Sequence, residues 1–265
     1  MSEIINSAKK IGIKAAKTAG EITKKHFTKN IRINEKNNSG DLVTEVDYIA
    51  EKEILYLIRN EFPNHKIMSE ENGWSGVNGD WLWLIDPLDG TNNYAIGFPV
   101  FAVSITLLYK KEPVLGVIYD SMLEKVYIAE KGKGAFCEDE FIKIETKNNL
   151  DKMTLGWIQG HDVQNDNQAM DLKYLLEEKC KRILNFWAPS LLWCMLARGD
   201  IDGIVLYNSE IEDLYAGLLM AKEAGAIIFN FEGNNLNQME SEPYIIACHP
   251  DKKEILLEVI NEKLR

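Results

Sequence analysis

An α/β or α+β layered fold is predicted by three features of this 265-residue chain. Short apolar runs alternate with amphipathic helical segments through the second half. Three consecutive runs with period-two patterning, at 101–108, 113–119 and 125–129, read as antiparallel strands in the first half. Two earlier apolar runs of strand length each end in acidic residues next to turn formers.

The elements follow in order. Residues 2–28 place Ile4, Ile5, Ala8, Ile11, Ala15, Ala16, Ala19, Ile22 and Phe27 at helical spacing, with lysines between them as a solvated face. A polar segment at 34–40 holds Lys36. Residues 41–47 lead into a helix running to about residue 60, capped by Asp41 or Thr44, with Asp47 projecting from its first turn. Residues 66–68 form a short strand that ends in Ser69-Glu70-Glu71, and 82–85 a second that ends in Asp86-Pro87-Leu88-Asp89-Gly90-Thr91. After the three antiparallel strands and a glycine turn at 131–134, strands at 153–158, 182–185, 203–207, 226–229 and 244–247 alternate with helices at 167–180, 190–198 and 214–224. Pro250 opens the terminal helix.

The length suits one large domain of two packed lobes, an α+β lobe over about 1–145 and an α/β lobe over 146–265. There are 30 basic and 41 acidic residues, a formal charge of −11, and no basic cluster, which argues against a polymeric nucleic acid partner. The start lacks the pattern of a signal peptide, and no apolar run reaches the ~20 residues that cross a bilayer, so no membrane role and a cytoplasmic location are expected. Cys137, Cys180, Cys194 and Cys248 form no CxxC pair, and the four histidines are scattered, so neither a zinc knuckle nor a thiol or histidine enzyme is indicated.

What remains is acid chemistry. Glu70, Asp86, Asp89 and Asp213 all fall at strand ends or helix starts, where open sheets place their ligand crevices. Each alone has a local reading, Asp89 as a turn residue and Asp213 as a helix cap. Together they make an oxygen-rich pocket for magnesium or manganese. Two such ions can activate water and neutralise a phosphoryl group, with the amides of Gly90 and Thr91 facing the remaining phosphate oxygens. The chemistry indicated is metal-assisted hydrolysis of a phosphate ester.

Asp86 to Thr91 also approaches the Asp-x-Asp-Gly-Thr box of haloacid-dehalogenase-type phosphatases, but its two acids are one residue further apart. It resembles more closely the inositol monophosphatase family, of the superfamily that includes fructose-1,6-bisphosphatases. The match extends to Ser69-Glu70-Glu71, to Asp41-Leu42-Val43-Thr44 with Asp47, and to Asp213-Leu214-Tyr215-Ala216-Gly217. The resemblance implies an α-β-α-β-α layered sandwich, dependence on two or three magnesium ions with manganese as a substitute, inhibition by lithium, and a homodimer acting on a small phosphorylated metabolite. By the same resemblance Glu70, Asp86 and the Leu88 carbonyl hold one metal, and Asp86, Asp89 and Asp213 a second. Thr91, bonded to Asp47, orients the attacking water with Glu70, and Asp89, Gly90, Thr91, Asp213 and Lys36 serve the phosphate.

Departures gather at the substrate side. Glu212 replaces the family's tryptophan before Asp213. Leu206 occupies a substrate position where inositol-cleaving members often carry a glutamate, and Trp187-Ala188-Pro189-Ser190 replaces a Gly-Ser or Gly-Thr helix start. Inositol 1-phosphate or a related polyol or sugar phosphate, fructose 1,6-bisphosphate, NADP and a 3′(2′),5′-bisphosphate nucleotide all stay open as substrates. A non-catalytic metal- or phosphate-binding regulator on the same fold is the alternative of another class.

Overall fold

The computed structural model describes residues 1–29, 31–36, 40–145, 149–160, 163, 165–208, 214–236 and 242–264. Five layers stack in it. Helices α1 (Ser2–His26) and α2 (Glu45–Glu61) pack together on one face of an eight-stranded sheet. Ala8, Ala15, Ala16 and Ala19 form the buried side of α1, small enough to bring its backbone close to the sheet. The sheet contains β3 (Lys66–Ser69), β4 (Gly73–Gly76), β5 (Trp81–Asp89), β6 (Ala102–Tyr109), β7 (Glu112–Asp120), β8 (Lys125–Glu130), β9 (Gly134–Cys137) and β10 (Glu140–Ile142), in the order β10-β9-β8-β7-β6-β5-β3-β4. Only β3 and β5 pair in parallel. The hairpin of β1 (Ile33–Glu35) and β2 (Leu42–Thr44) lies between α1 and α2 in sequence and ends at the α2 cap.

On the other face of this sheet, α5 (Pro189–Ala197) and α6 (Tyr215–Glu223) form the middle layer. Beyond them lies a sheet of β11 (Thr154–Gln159), β12 (Arg182–Leu184), β13 (Gly203–Tyr207), β14 (Ile227–Asn230) and β15 (Tyr244–Cys248), ordered β12-β11-β13-β15-β14. Its outer face is covered by α4 (Asn167–Lys179) and α7 (Lys253–Leu264). The two sheets therefore share α5 and α6 as a common core. The predicted elements correspond closely, and the omissions, β1, β2, β4, β9 and β10, are strands of three or four residues, too short to show an apolar alternation.

The Ala216-Gly217 pair of the late motif has a packing role. Gly116 on β7 lies so close to α6 that an added Cβ would sit 3.1 Å from the Ala216 Cα and carbonyl oxygen, and a Cβ on Gly217 would fall 2.4 Å from the Trp193 ring of α5. Gly217→Ala is expected to force α5 and α6 apart and lower stability by about 1–3 kcal/mol in a denaturant titration. An unchanged midpoint would show that Trp193 can move aside at no cost.

Candidate active site

The site begins where β3 and β5 run side by side. Their register pairs Ser69 with Ile85, and the Glu70 amide donates to the Ile85 carbonyl at 3.0 Å, so Glu70 emerges beside Asp86. Sequence reading ends this strand at Ile85, but β5 continues through Asp86 and Pro87 to Asp89. Against β6, Asp86 faces Ser104 and Asp89 faces Ala102, so three steps on β5 match two on β6. This is a β-bulge, and proline, having no N–H to give the ladder, suits it. Its consequence is geometric. Residues three apart in a regular strand point to opposite faces, whereas the extra residue returns Asp89 to the face of Asp86. The Leu88 amide donates to Asp86 Oδ1 at 2.9 Å and holds the bulge from within. Asp89, 5% exposed, accepts the Ser190 amide at 2.8 Å on Oδ2, tying it to the first turn of α5.

A second group comes from the start of α2. Thr44 is its N-cap, accepting the Val46 amide, and Asp47 at the third helical position accepts the Thr44 amide (2.9 Å) and hydroxyl (2.5 Å) on Oδ2. The other oxygen of Asp47 is 3.0 Å from the Thr91 hydroxyl, which also lies 2.9 Å from the Leu88 carbonyl. The single Thr91 proton thus has two acceptors within reach. Asp47 is wholly buried, and burial pushes its carboxyl up to about 6 against the lowering effect of the Thr44 bonds, with the Glu70 charge adding to the rise. One side chain thus closes the capping box with Oδ2 and reaches Thr91 with Oδ1.

Lys36 reaches in from the end of β1. Its ammonium lies 2.6 Å from Glu70 Oε1 and 2.5 Å from Glu71 Oε1. Burial by itself would lower its pKa, but the two carboxylates outweigh it and raise the lysine above its ordinary value. Glu71 is pushed up to about 7, chiefly by burial, which exceeds the lowering by Lys36. Behind this pair, the fully buried Glu51 of α2 accepts the amides of Glu71 (3.0 Å) and Asn72 (3.2 Å) and the Asn72 side-chain amide, fixing the turn that carries Glu70. Glu71, Glu51 and Ser190 are absent from the sequence-derived site. Glu51 left a trace there, because with Asp47 it forms an i, i+4 pair of acids in the otherwise apolar stripe of Val46, Ala50, Ile54 and Ile58.

A carboxyl whose folded pKa is raised binds its proton more tightly in the folded chain. Its contribution is full below the unfolded value and lost as pH rises through the folded one. Without metal, the wild type should therefore gain stability relative to Glu71→Gln as pH falls from about 7 toward the ordinary glutamate value of 4.5. Parallel stability curves for the two proteins over that window would contradict the assignment.

Gly90 caps α3 (Thr91–Ala95) with φ +102°, a conformation suited to glycine, and a Cβ there would lie 2.8 Å from the Trp187 carbonyl and 3.0 Å from that of Val100. Asn93 clamps the same two carbonyls through Nδ2, at 3.1 and 2.8 Å. Glu70, Asp86, Leu88, Asp89, Gly90, Thr91, Asp47 and Lys36 are thus joined by one network of strand pairing, bulge, caps and ion pairs. Leu206 is not part of it. It is fully buried on β13, whose alternation turns Val205 and Tyr207 toward α4 and α7 and Ile204 and Leu206 into the core beneath α5 and α6, so its side chain is inaccessible to a ligand. Glu212 and Asp213 lie outside the described residues.

Among the described residues, no three His, Cys, Asp or Glu side chains converge to hold a metal ion. The potential donors at this corner are nevertheless all oxygen, carboxylates and the Leu88 carbonyl, which suits a hard divalent cation rather than zinc. A sequence model described as the Inositol monophosphatase family matches residues 5–265. The chain belongs to the inositol monophosphatase family. Members of this family are phosphomonoesterases, typically magnesium-dependent, that act on phosphorylated metabolites. The chain is 33% identical over 217 residues to the fructose-1,6-bisphosphatase/inositol-1-monophosphatase of Aquifex aeolicus, covering 80% of this chain and 81% of that one. It is 30% identical over 256 residues to the Nus factor SuhB of Pasteurella multocida, covering 95% of each. The crystal structure of the extragenic suppressor protein suhB from Bartonella henselae superposes with a TM-score of 0.90 at 26% identity, covering 97% of this chain and 100% of that one. The layered architecture of the inositol monophosphatase family is therefore that of this chain. Among the described residues, no helix is long and apolar enough to cross a membrane.

Proposed function

We propose that this member of the family is a magnesium-dependent phosphomonoesterase that hydrolyses a small phosphorylated metabolite with a metal-activated water. The observation that carries the reading is the Asp47–Thr91 hydrogen bond set against the acids at the end of β5. Glu70, Asp86, Asp89, Asp213 and the Leu88 carbonyl would hold the metal ions. When bound, magnesium neutralises phosphoryl charge and lowers the pKa of water. Ionised Asp47 accepts the hydrogen bond of the Thr91 hydroxyl on Oδ1, which leaves a lone pair of Oγ1 to accept a hydrogen bond from the attacking water. Glu70 accepts the other proton of that water. The Gly90 and Thr91 amides would donate to the phosphate oxygens and the Lys36 ammonium would balance their charge. The ester P–O bond breaks as the water oxygen bonds to phosphorus, the proton taken by Glu70 passes through solvent to the leaving alkoxide, and the products are the free alcohol and inorganic phosphate. A homodimer, a cytoplasmic location and inhibition by lithium belong to the same reading.

The test is phosphate release from polyol, sugar and nucleotide phosphates, including fructose 1,6-bisphosphate, NADP and a 3′,5′-bisphosphate nucleotide, with magnesium and with lithium added. Magnesium-dependent, lithium-inhibited release from at least one ester is expected. The second reading, a role outside catalysis, is favoured by the relative named as a Nus factor. A folded protein that binds magnesium but releases phosphate from no ester would favour it.

A further inference from the structure

We infer that Glu51 is a positioning residue for the metal: by holding the turn that carries Glu70 it sets how tightly this corner binds magnesium. The inference rests on the phosphatase reading above, in which Glu70 is a metal ligand. Glu70 stands in the turn of residues 70–72 between β3 and β4, whose ends meet where Ser69 pairs with Gly73. Before Glu70 the backbone is tied to β5 by the Glu70 amide on the Ile85 carbonyl. After it the tie is Glu51: Oε1 accepts the amides of Glu71 and Asn72, and Oε2 accepts the Asn72 side-chain amide. The buried Ser69 hydroxyl has no partner among the described residues and gives the turn no further anchor.

Glu51 is fully buried and stands beside the apolar stripe of Ala50, Ile54 and Ile58. A carboxylate there carries a desolvation cost that an apolar side chain would not, so its place in α2 is explained by what it bonds rather than by packing. Shared by two successive amides and a side chain, it fixes both the position and the rotation of the turn. The same helix serves the other half of the site. Asp47, one helical turn earlier and about 6 Å along the axis, reaches the Thr91 hydroxyl at 3.0 Å. Helix α2 thus spaces the Glu70 turn from Thr91, two groups that in the proposed reaction must lie within reach of one water.

The experiment measures magnesium affinity by calorimetry and, in the metal-free protein, backbone amide exchange. Glu51→Gln keeps the size and an oxygen for the two backbone amides, but sets its NH2 against that of Asn72, donor against donor. Asn72→Ala, on an exposed turn residue, removes the same bond from the other end without changing the charge and serves alone if the first variant does not fold. Glu51→Gln combined with Asn72→Asp reverses donor and acceptor at constant net charge. The magnesium Kd is expected to rise about tenfold in each single variant and to return toward the wild-type value in the double one. The Glu71 and Asn72 amides should exchange about tenfold faster in the single variants, with those of Ile54 and Ile58 in α2 unchanged. Wild-type magnesium affinity in Asn72→Ala, or a loosening shared equally by the turn and α2, would overturn the inference and leave the phosphatase reading intact. A wild type that binds no magnesium overturns both. Neither measurement needs turnover, so a protein that shows these shifts yet cleaves no ester upholds the role of Glu51 and overturns the phosphatase reading alone.

Discussion

Asp86→Asn is expected to reduce magnesium-dependent phosphate release by on the order of a hundredfold or more while leaving the fold intact. Asparagine keeps an Oδ1 to accept the Leu88 amide, so the bulge that sets the spacing of the two acids survives. What is lost is the negative charge beside Glu70, on the face shared with Asp89. The substitution conserves shape and the bond to Leu88, so the thermal midpoint without metal should stay about level even as activity collapses. Magnesium should then raise the midpoint of the wild type and fail to raise that of the variant. Full magnesium-dependent activity in Asp86→Asn would show that the acids of β5 are not metal ligands.

Gly90→Ala should do the opposite, damaging fold and activity together. At φ +102° an L-residue is strained by about 1–3 kcal/mol, and the new methyl would meet two carbonyl oxygens that Asn93 holds in place, adding about 1–3 kcal/mol of overpacking. Relief requires moving either the 187–190 segment or the loop before β6, and the first carries the amide that orients Asp89. Denaturant unfolding with phosphate release measured on the same preparation checks both effects. A variant of wild-type stability would mean that the contact of Gly90 with the carbonyls of Trp187 and Val100 is loose.

Much of this was legible in the chain itself. The helical period of residues 2–28 and the alternation of the strands between residues 101 and 129 are local signals, and their elements stand within a residue or two of expectation. The acids at 70, 86 and 89 were legible by type and position, as was the bond between Asp47 and Thr91, 44 residues apart, which entered through the family resemblance. From sequence β5 ends too early, because Asp86 and Pro87 look like a strand stop, and only pairing with β6 carries the strand past them. Glu71 has no role of its own in the sequence motif, and only the fold brings Lys36, 35 residues away, over it. Leu206 stands at a substrate position only by the family resemblance, whereas its accessibility is decided by the helices laid across β13.

Element order, the layered class and the acidic residue types at the strand ends follow from the chain alone, because periodicity and residue type act over a few neighbours. Which acids share a face and which side chain covers Glu71 follow only from the way the chain packs. Those outcomes depend on strand register, one inserted residue in a ladder, and contacts such as that between Ser190 and Asp89, made across 101 residues of chain that no local pattern records.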